Sequence, residues 1–214
     1  IVSSPKLSFI NTHLRRLILQ YNDITDTGVH SICSKLPQLS HLDLSCTNVT
    51  DRCARYFSAL SKLKTLILNK NKTLTDKALR AICTGANFHL IEQLAMRGCS
   101  VGDRGIRSLT YTLMTGENQI RTIDLSENNI GDEGLERFLL FMCGRQSHCP
   151  QFKWLSLQDN SNLTKHGRSS LALYYQTCHT SVHLKHILHV EKVLLLIKQF
   201  LNMWKYKRSR KTFK

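Results

Sequence analysis

Apolar residues return along this chain in a fixed cadence. In IRTIDLSENNIGDEGL, residues 120–135, they stand at Ile120, Ile123, Leu125 and Ile130 with Asn128 between, the spacing L-x-x-L-x-L-x-x-N-x-L. The same triad spacing occurs at Leu14/Leu17/Leu19, Leu39/Leu42/Leu44, Leu63/Leu66/Leu68, Ile91/Leu94/Met96 and Phe152/Leu155/Leu157. First members of successive triads lie 25, 24, 28, 29 and 32 residues apart, a period that belongs to stacked repeats. Alternation inside each triad predicts a short strand with its apolar residues on one side and the residues between them on the other.

The ninth position of each unit is Asn22, Thr47, Asn71, Cys99, Asn128 or Asn160. Such a side chain is expected to satisfy buried backbone groups where the chain turns out of its strand. A small residue with Asp follows at Thr25-Asp26, Thr50-Asp51, Thr75-Asp76, Gly102-Asp103 and Gly131-Asp132, an N-cap signal. Beyond it, Val29/Ile32/Cys33/Leu36, Leu79/Ile82/Cys83/Ala86, Leu135/Phe138/Leu139/Met142 and Leu171/Tyr174/Tyr175/Cys178 fall at i, i+3, i+4, i+7, one face of a helix. Each unit therefore reads as strand, turn, capped helix and return, and none buries its apolar stripe alone.

On these residues the chain resembles leucine-rich-repeat proteins. NIGDEGL and SVGDRGI look like the ribonuclease-inhibitor and Ran-GTPase-activating-protein subtype, and LSHLDLSCTNVTD is similar to the cysteine-containing repeats of F-box proteins. The resemblance covers residues 13 to about 180. It implies an α/β solenoid of about six repeats over 13–183, with a curved parallel sheet on the concave side and helices on the convex side. Residues 1–12 are expected as a flank or the remnant of an earlier repeat, and 184–214 as a C-terminal amphipathic helical cap with a basic tail. No residue matches one that could carry over catalysis from the Ran-activating members.

Charge sharpens the picture. Thirty Lys and Arg against fifteen Asp and Glu give +15 and a pI near 9.7, so an anionic partner is favoured: RNA, acidic protein or a lipid surface. Positive charge is densest after residue 165, where ten basic residues face one acid, Glu191. The eight cysteines are scattered singly in a chain that needs no staples, and they read as reduced thiols. Cys143, His148, Cys149, Cys178 and His179 match no zinc spacing. His183, His186 and His189 read more simply as solvent or cap contacts than as metal ligands. Neither a metal nor a cofactor is expected. Asn48-Val49-Thr50, Asn71-Lys72-Thr73 and Asn162-Leu163-Thr164 fit the glycosylation sequon, but no signal peptide or cysteine cap accompanies them. The expected compartment is intracellular, cytoplasmic or mitochondrial rather than secreted, and no apolar run is long enough for a membrane span.

Two surfaces are candidates for function. The residues between the strand leucines face the concave side, and Arg16, His41, Asp43, Ile67, Arg97, Asp124 and Trp154 are expected to contact a protein partner, with Arg97 and Trp154 as anchors. For Trp154 the alternative is packing against the C-terminal segment. The second surface is a rim of basic pairs in the first helical turns: Arg52/Arg55, Lys77/Arg80, Arg104/Arg107 and Lys165/Arg168. Cations at a helix start oppose the macrodipole, so their recurrence points to an anion-binding edge unless the adjacent Asp neutralises them. Lys205, Lys207, Arg208, Arg210 and Lys211 extend the basic set into the tail, whose apolar side fits a solenoid cap, a membrane-surface helix or a calmodulin-type target.

No phosphate-binding glycine loop, H-E-x-x-H or nucleophile elbow is present, so a non-catalytic role is expected. The expectation is an interaction scaffold within a large assembly, its concave face on a protein and its rim and tail on a polyanion, namely RNA in a ribonucleoprotein such as a ribosome. The alternatives are an F-box-type substrate receptor of a ubiquitin ligase and a structural subunit on a filament such as an axonemal microtubule.

Overall fold

Each triad marks a three-residue strand. The computed structural model describes residues 13–115, 118–144 and 152–180. Within them run β1 (Arg16–Ile18), α1 (Asp26–Lys35), β2 (His41–Asp43), a 3₁₀ helix (Asp51–Ala59), β3 (Thr65–Ile67), α2 (Asp76–Cys83), a 3₁₀ turn (Phe88–Leu90), β4 (Gln93–Ala95), α3 (Asp103–Thr115), β5 (Thr122–Asp124), α4 (Asp132–Gly144), β6 (Trp154–Ser156) and α5 (Lys165–Thr180). The segments 1–12 and 184–214 lie outside the described residues.

The six strands form one parallel sheet in chain order, β1 to β6. Register places Leu17, Leu42, Leu66, Leu94, Ile123 and Leu155 side by side, the central apolar residue of every triad. From Leu42 to Leu155 these side chains are buried, together with Leu44, Leu68, Leu125 and the helix residues Val29, Leu79, Ile106, Leu135 and Phe138. The α/β leucine-rich-repeat solenoid expected from the cadence is what forms. Truncating one such leucine to alanine removes about 2–5 kcal/mol.

Polar ladders fasten the repeats to one another. Asn71 Nδ2 donates to the carbonyls of Leu44 and Leu68 at 2.8 and 3.0 Å, and Asn71 Oδ1 accepts the Thr47 amide at 2.9 Å. Asn160 does the same three repeats on, donating to Leu125 and Leu157 and accepting from Ile130. These groups would otherwise be orphaned in the core. The ninth position is structural, as its recurrence implies.

The helix starts differ from expectation in one respect. Thr50, Thr75 and Thr164 are the N-caps, each Oγ1 accepting an amide two residues on. The following Asp instead reaches into the next repeat. Asp26 accepts from Thr50 N and Oγ1 at 2.8 and 2.6 Å, and Asp51 from Thr75 N and Oγ1, both at 2.7 Å. Asp76 and Asp103 accept the amides of Gly102 and Gly131, and Asp132 accepts from Thr164 N and Oγ1. Five junctions in a row are closed by this relay.

The second repeat departs from an α-helix. Its 24-residue period leaves nine residues for the connection, which run as a 3₁₀ helix. At ~2.0 Å of rise per residue these span ~18 Å, close to the ~20 Å of the 13-residue α3 at 1.5 Å each. In the third repeat α2 stops at Cys83, so Ala86 lies beyond the helix and is exposed.

Candidate functional site

Side chains on the concave face stand in three columns across the six strands. The first holds Arg16, His41, Thr65, Gln93, Thr122 and Trp154, and the second Ile18, Asp43, Ile67, Ala95, Asp124 and Ser156. Gln20, Ser45, Asn69, Arg97, Ser126 and Gln158 follow as the third, by the same alternation.

Several of these groups are already held within the chain. Asp43, 9% exposed, accepts from the Ser45 amide and hydroxyl at 2.9 and 2.6 Å. Asp124 repeats the arrangement with Ser126, whose amide donates at 3.0 Å and whose hydroxyl also donates to it. Arg97 bonds Glu127, with Nε donating at 2.8 Å. Lys70 joins the same carboxylate by crossing over Gly98. Arg97, expected to anchor a partner, is exposed on this face and pairs there with Glu127, one repeat away. Glu127 and Lys70 carry no motif, and the signal that finds them is positional. The residue before the ninth position has positive φ in all six repeats, at Tyr21, Cys46, Lys70, Gly98, Glu127 and Asp159, which sets these residues in one column along the strand exits.

At the strand entries Glu92 lies between Lys64 at 2.8 Å and Arg121 at 3.3 Å. The Lys64 hydrogen bond holds the Glu92 carboxyl below its ordinary range. His41 is pushed down, first by burial and then by the neighbouring Arg16, with Asp43 opposing. Open on this face are Ile18 at 45% and Trp154 at 42% exposure, with Ile67 half-buried between them, alongside the polar Arg16, Gln20, Gln93 and Gln158.

The basic pairs stand on the opposite side of each unit. Arg52, Arg55, Lys77, Arg80, Arg104 and Arg107 are all exposed, on three consecutive helices. Arg107 pairs with Glu133 at 3.0 Å, and Arg55 lies 5.2 Å over the Tyr56 ring, which His30 meets edge-on. Lys165 and Arg168 fall one residue out of register with this series. Thr164 is the N-cap of α5, so Lys165 occupies the Asp slot, and Arg168 donates to the Leu163 carbonyl at 2.6 Å. In α4 the equivalent positions are Glu133 and Glu136, and burial raises the Glu136 carboxyl. The tail residues Lys205, Lys207, Arg208, Arg210 and Lys211 lie outside the described residues, as do His148, Cys149, His183, His186 and His189 and the side chains of Cys143, Cys178 and His179.

The described cysteines Cys33, Cys46, Cys53, Cys83 and Cys99 are free. Burial pushes the Cys33 thiol up to about 12 and Cys99 to about 11, and raises Cys53 and Cys83 as well, so these are inert packing residues. Asn71 of the central sequon is buried and hydrogen-bonded through its amide, while Asn48 and Asn162 are exposed. Among the described residues no group of three or more His, Cys, Asp or Glu is placed to hold a metal. Among them no helix is long and apolar enough to cross a membrane.

Family models described as leucine-rich repeat match residues 12–72 and 119–139. The human NACHT, LRR and PYD domains-containing protein 13 is 28% identical over 134 residues, covering 58% of this chain and 13% of its own length. The ribonuclease inhibitor of Sus scrofa is 28% identical over 136 residues, 59% of this chain and 29% of the inhibitor. The chain thus spans less than a third of the curated relatives it matches. Among solved structures, an internalin from Listeria monocytogenes superposes with a TM-score of 0.49 at 20% identity, over 69% of this chain and 36% of that one.

Proposed function

Because the chain is a leucine-rich-repeat protein, we propose that its described repeats form a non-catalytic interaction module whose concave face docks a protein partner. The observation that carries this reading is the pattern of exposure. Of the five large exposed hydrophobics among the described residues, Ile18 and Trp154 lie in strands and Tyr21 at the turn after β1. An apolar side chain left open at each end of an ordered sheet is suited to bury against a shaped surface, and Trp is the residue type most enriched at such contacts. One relative is by its name an inhibitor of ribonuclease, and so acts on another protein.

The partner contacts are Arg16, His41, Ile67, Arg97 and Trp154, since Asp43 and Asp124 are held by Ser45 and Ser126. Photo-crosslinkers placed at residues 18, 67 and 154 of the chain in cells, against residues 58 and 84 on the helix side, test the proposal. Polypeptide adducts are expected at the strand positions, with loss of at least tenfold in yield on Trp154→Ala. The identity of the adduct separates a substrate-receptor role from a structural role on a filament. Equal yields on both sides overturn the reading.

A further inference from the structure

The basic rim supports a second binding surface, independent of the concave face. Three consecutive repeats present Arg52/Arg55, Lys77/Arg80 and Arg104/Arg107 at the same two positions of their helices, the second and fifth after the N-cap. All six are exposed. The adjacent aspartates, the natural candidates to neutralise them, are turned away. Asp51, Asp76 and Asp103 each accept hydrogen bonds from the following repeat at Thr75, Gly102 and Gly131. Among the described residues Arg52, Arg55, Lys77, Arg80 and Arg104 form no ion pair with a carboxylate, whereas at the strand edges Lys64, Lys70, Arg97 and Arg121 are all paired. The rim thus sets six cations against the carboxylates of Asp51, Asp76, Asp103 and Glu133, which leaves it net positive.

We infer that the rim of Arg52, Arg55, Lys77, Arg80, Arg104 and Arg107 binds the phosphate backbone of a single-stranded RNA. Helices packed at ~10 Å present one cation pair per step of the rim, a regular positive track that a flexible single-stranded backbone can follow. A cation pair that repeats regularly matches an anion that repeats regularly. Five of the six are arginines, whose planar fork takes two phosphate oxygens at once. An acidic polypeptide is the weaker fit. The large exposed hydrophobics on this side, Tyr111 and Met114, lie at the far end of α3, so a peptide would be held by exposed ion pairs alone, each worth about 0–1 kcal/mol. A nucleic acid adds the release of its condensed counterions.

The test titrates the full 214-residue chain with a fluorescent 20-nucleotide oligouridylate between 50 and 200 mM salt. A sextuple variant, R52Q/R55Q/K77Q/R80Q/R104Q/R107Q, is compared with a K62Q/K72Q control that removes exposed cations elsewhere. Six contacts at about −0.7 each predict that the wild-type slope of log affinity against log salt is steeper than the variant's by about 4, roughly a 300-fold difference in salt sensitivity over this range. The control stays within threefold of wild type. If the sextuple variant unfolds, the pair variants R52Q/R55Q and K77Q/R80Q each reduce the slope by about 1.4. A variant that folds and keeps the wild-type slope overturns the assignment and moves binding to residues 205–211. Poly-glutamate bound as tightly as RNA, with the same dependence on the rim, overturns it in favour of an acidic polypeptide.

Discussion

A methyl group added at Gly134 would stand 2.5 Å from Asp103 Oδ1, 2.6 Å from Ile106 Cγ2 and 3.0 Å from Asp103 Cα. Gly134 occupies the third helical position of α4, where the carboxylate of the preceding repeat passes on its way to the Gly131 amide. Its smallness makes room for the relay. Gly28, at the same position of α1, would meet only Ile24 Cγ2 at 3.1 Å. The two positions should respond in opposite ways to the same substitution. Gly→Ala inside a helix gains up to about 1 kcal/mol, while crowding against backbone and a buried methyl costs about 1–3 kcal/mol. Gly28→Ala is therefore expected to be neutral or mildly stabilising, and Gly134→Ala destabilising by about 1–2 kcal/mol, as read from urea midpoints. Gly98 acts differently again. Its φ of 67° is left-handed, as at the equivalent position of the other five repeats, and an added Cβ would meet only the flexible end of Lys70, with Cδ at 2.7 Å.

At the scale of elements, the Asp relay couples each helix start to the next. Thr75 caps its own helix through the Lys77 amide and also donates to Asp51. Asp51→Ala should cost about 2–3 kcal/mol and Thr75→Val a similar amount, because each strands a charge-assisted partner. The pair in a double-mutant cycle should show a coupling of about 1–2 kcal/mol, whereas Asp51 paired with Asn160, four repeats away, should show none. The strands and their ladder were legible in the sequence because hydrophobic period and burial coincide there: Leu42, Leu66 and Ile123 are both the pattern and the core. The 3₁₀ helix was not, since an apolar face spaced by three or four residues suits either helix. The relay was half legible. Thr-Asp announces a helix start, but only stacking reveals that the Thr caps and the Asp crosses. The misplacement of Lys165 and Arg168 follows from the same ambiguity, because Thr164 in the sequence serves equally well as the cap or as the equivalent of the Asp. The Arg97–Glu127 pair was not legible, because its members lie thirty residues apart and meet only once register is known.

For the whole molecule, the Lys70–Glu127–Arg97 cluster spans three consecutive repeats and sits in a chain of net charge +15, so its carboxylate also relieves long-range repulsion. Hydrogen bonds from Lys70 and then Arg97 hold Glu127 below its ordinary value of 4.5. A carboxyl whose pKa is lower in the folded than in the unfolded state contributes stability above the unfolded value, and that contribution disappears as pH falls through the folded one. Wild type should therefore exceed Glu127→Gln in stability by a constant margin above about pH 6, with the margin vanishing by about pH 3. Glu136 has the opposite sign. Burial raises its pKa, so its favourable contribution belongs to the protonated form and is lost as pH rises; Glu136→Gln should gain on wild type between about pH 4 and 7. Urea unfolding of the three proteins across this range should give curves that diverge in opposite directions from wild type. The Glu127 margin should also shrink in 0.5 M salt, since Lys70, Arg97 and Glu127 are all open to solvent, where a Debye length of roughly 4–5 Å screens them. A Glu127→Gln margin that survives both acid and salt would mean that Glu127 acts through contact rather than through its charge.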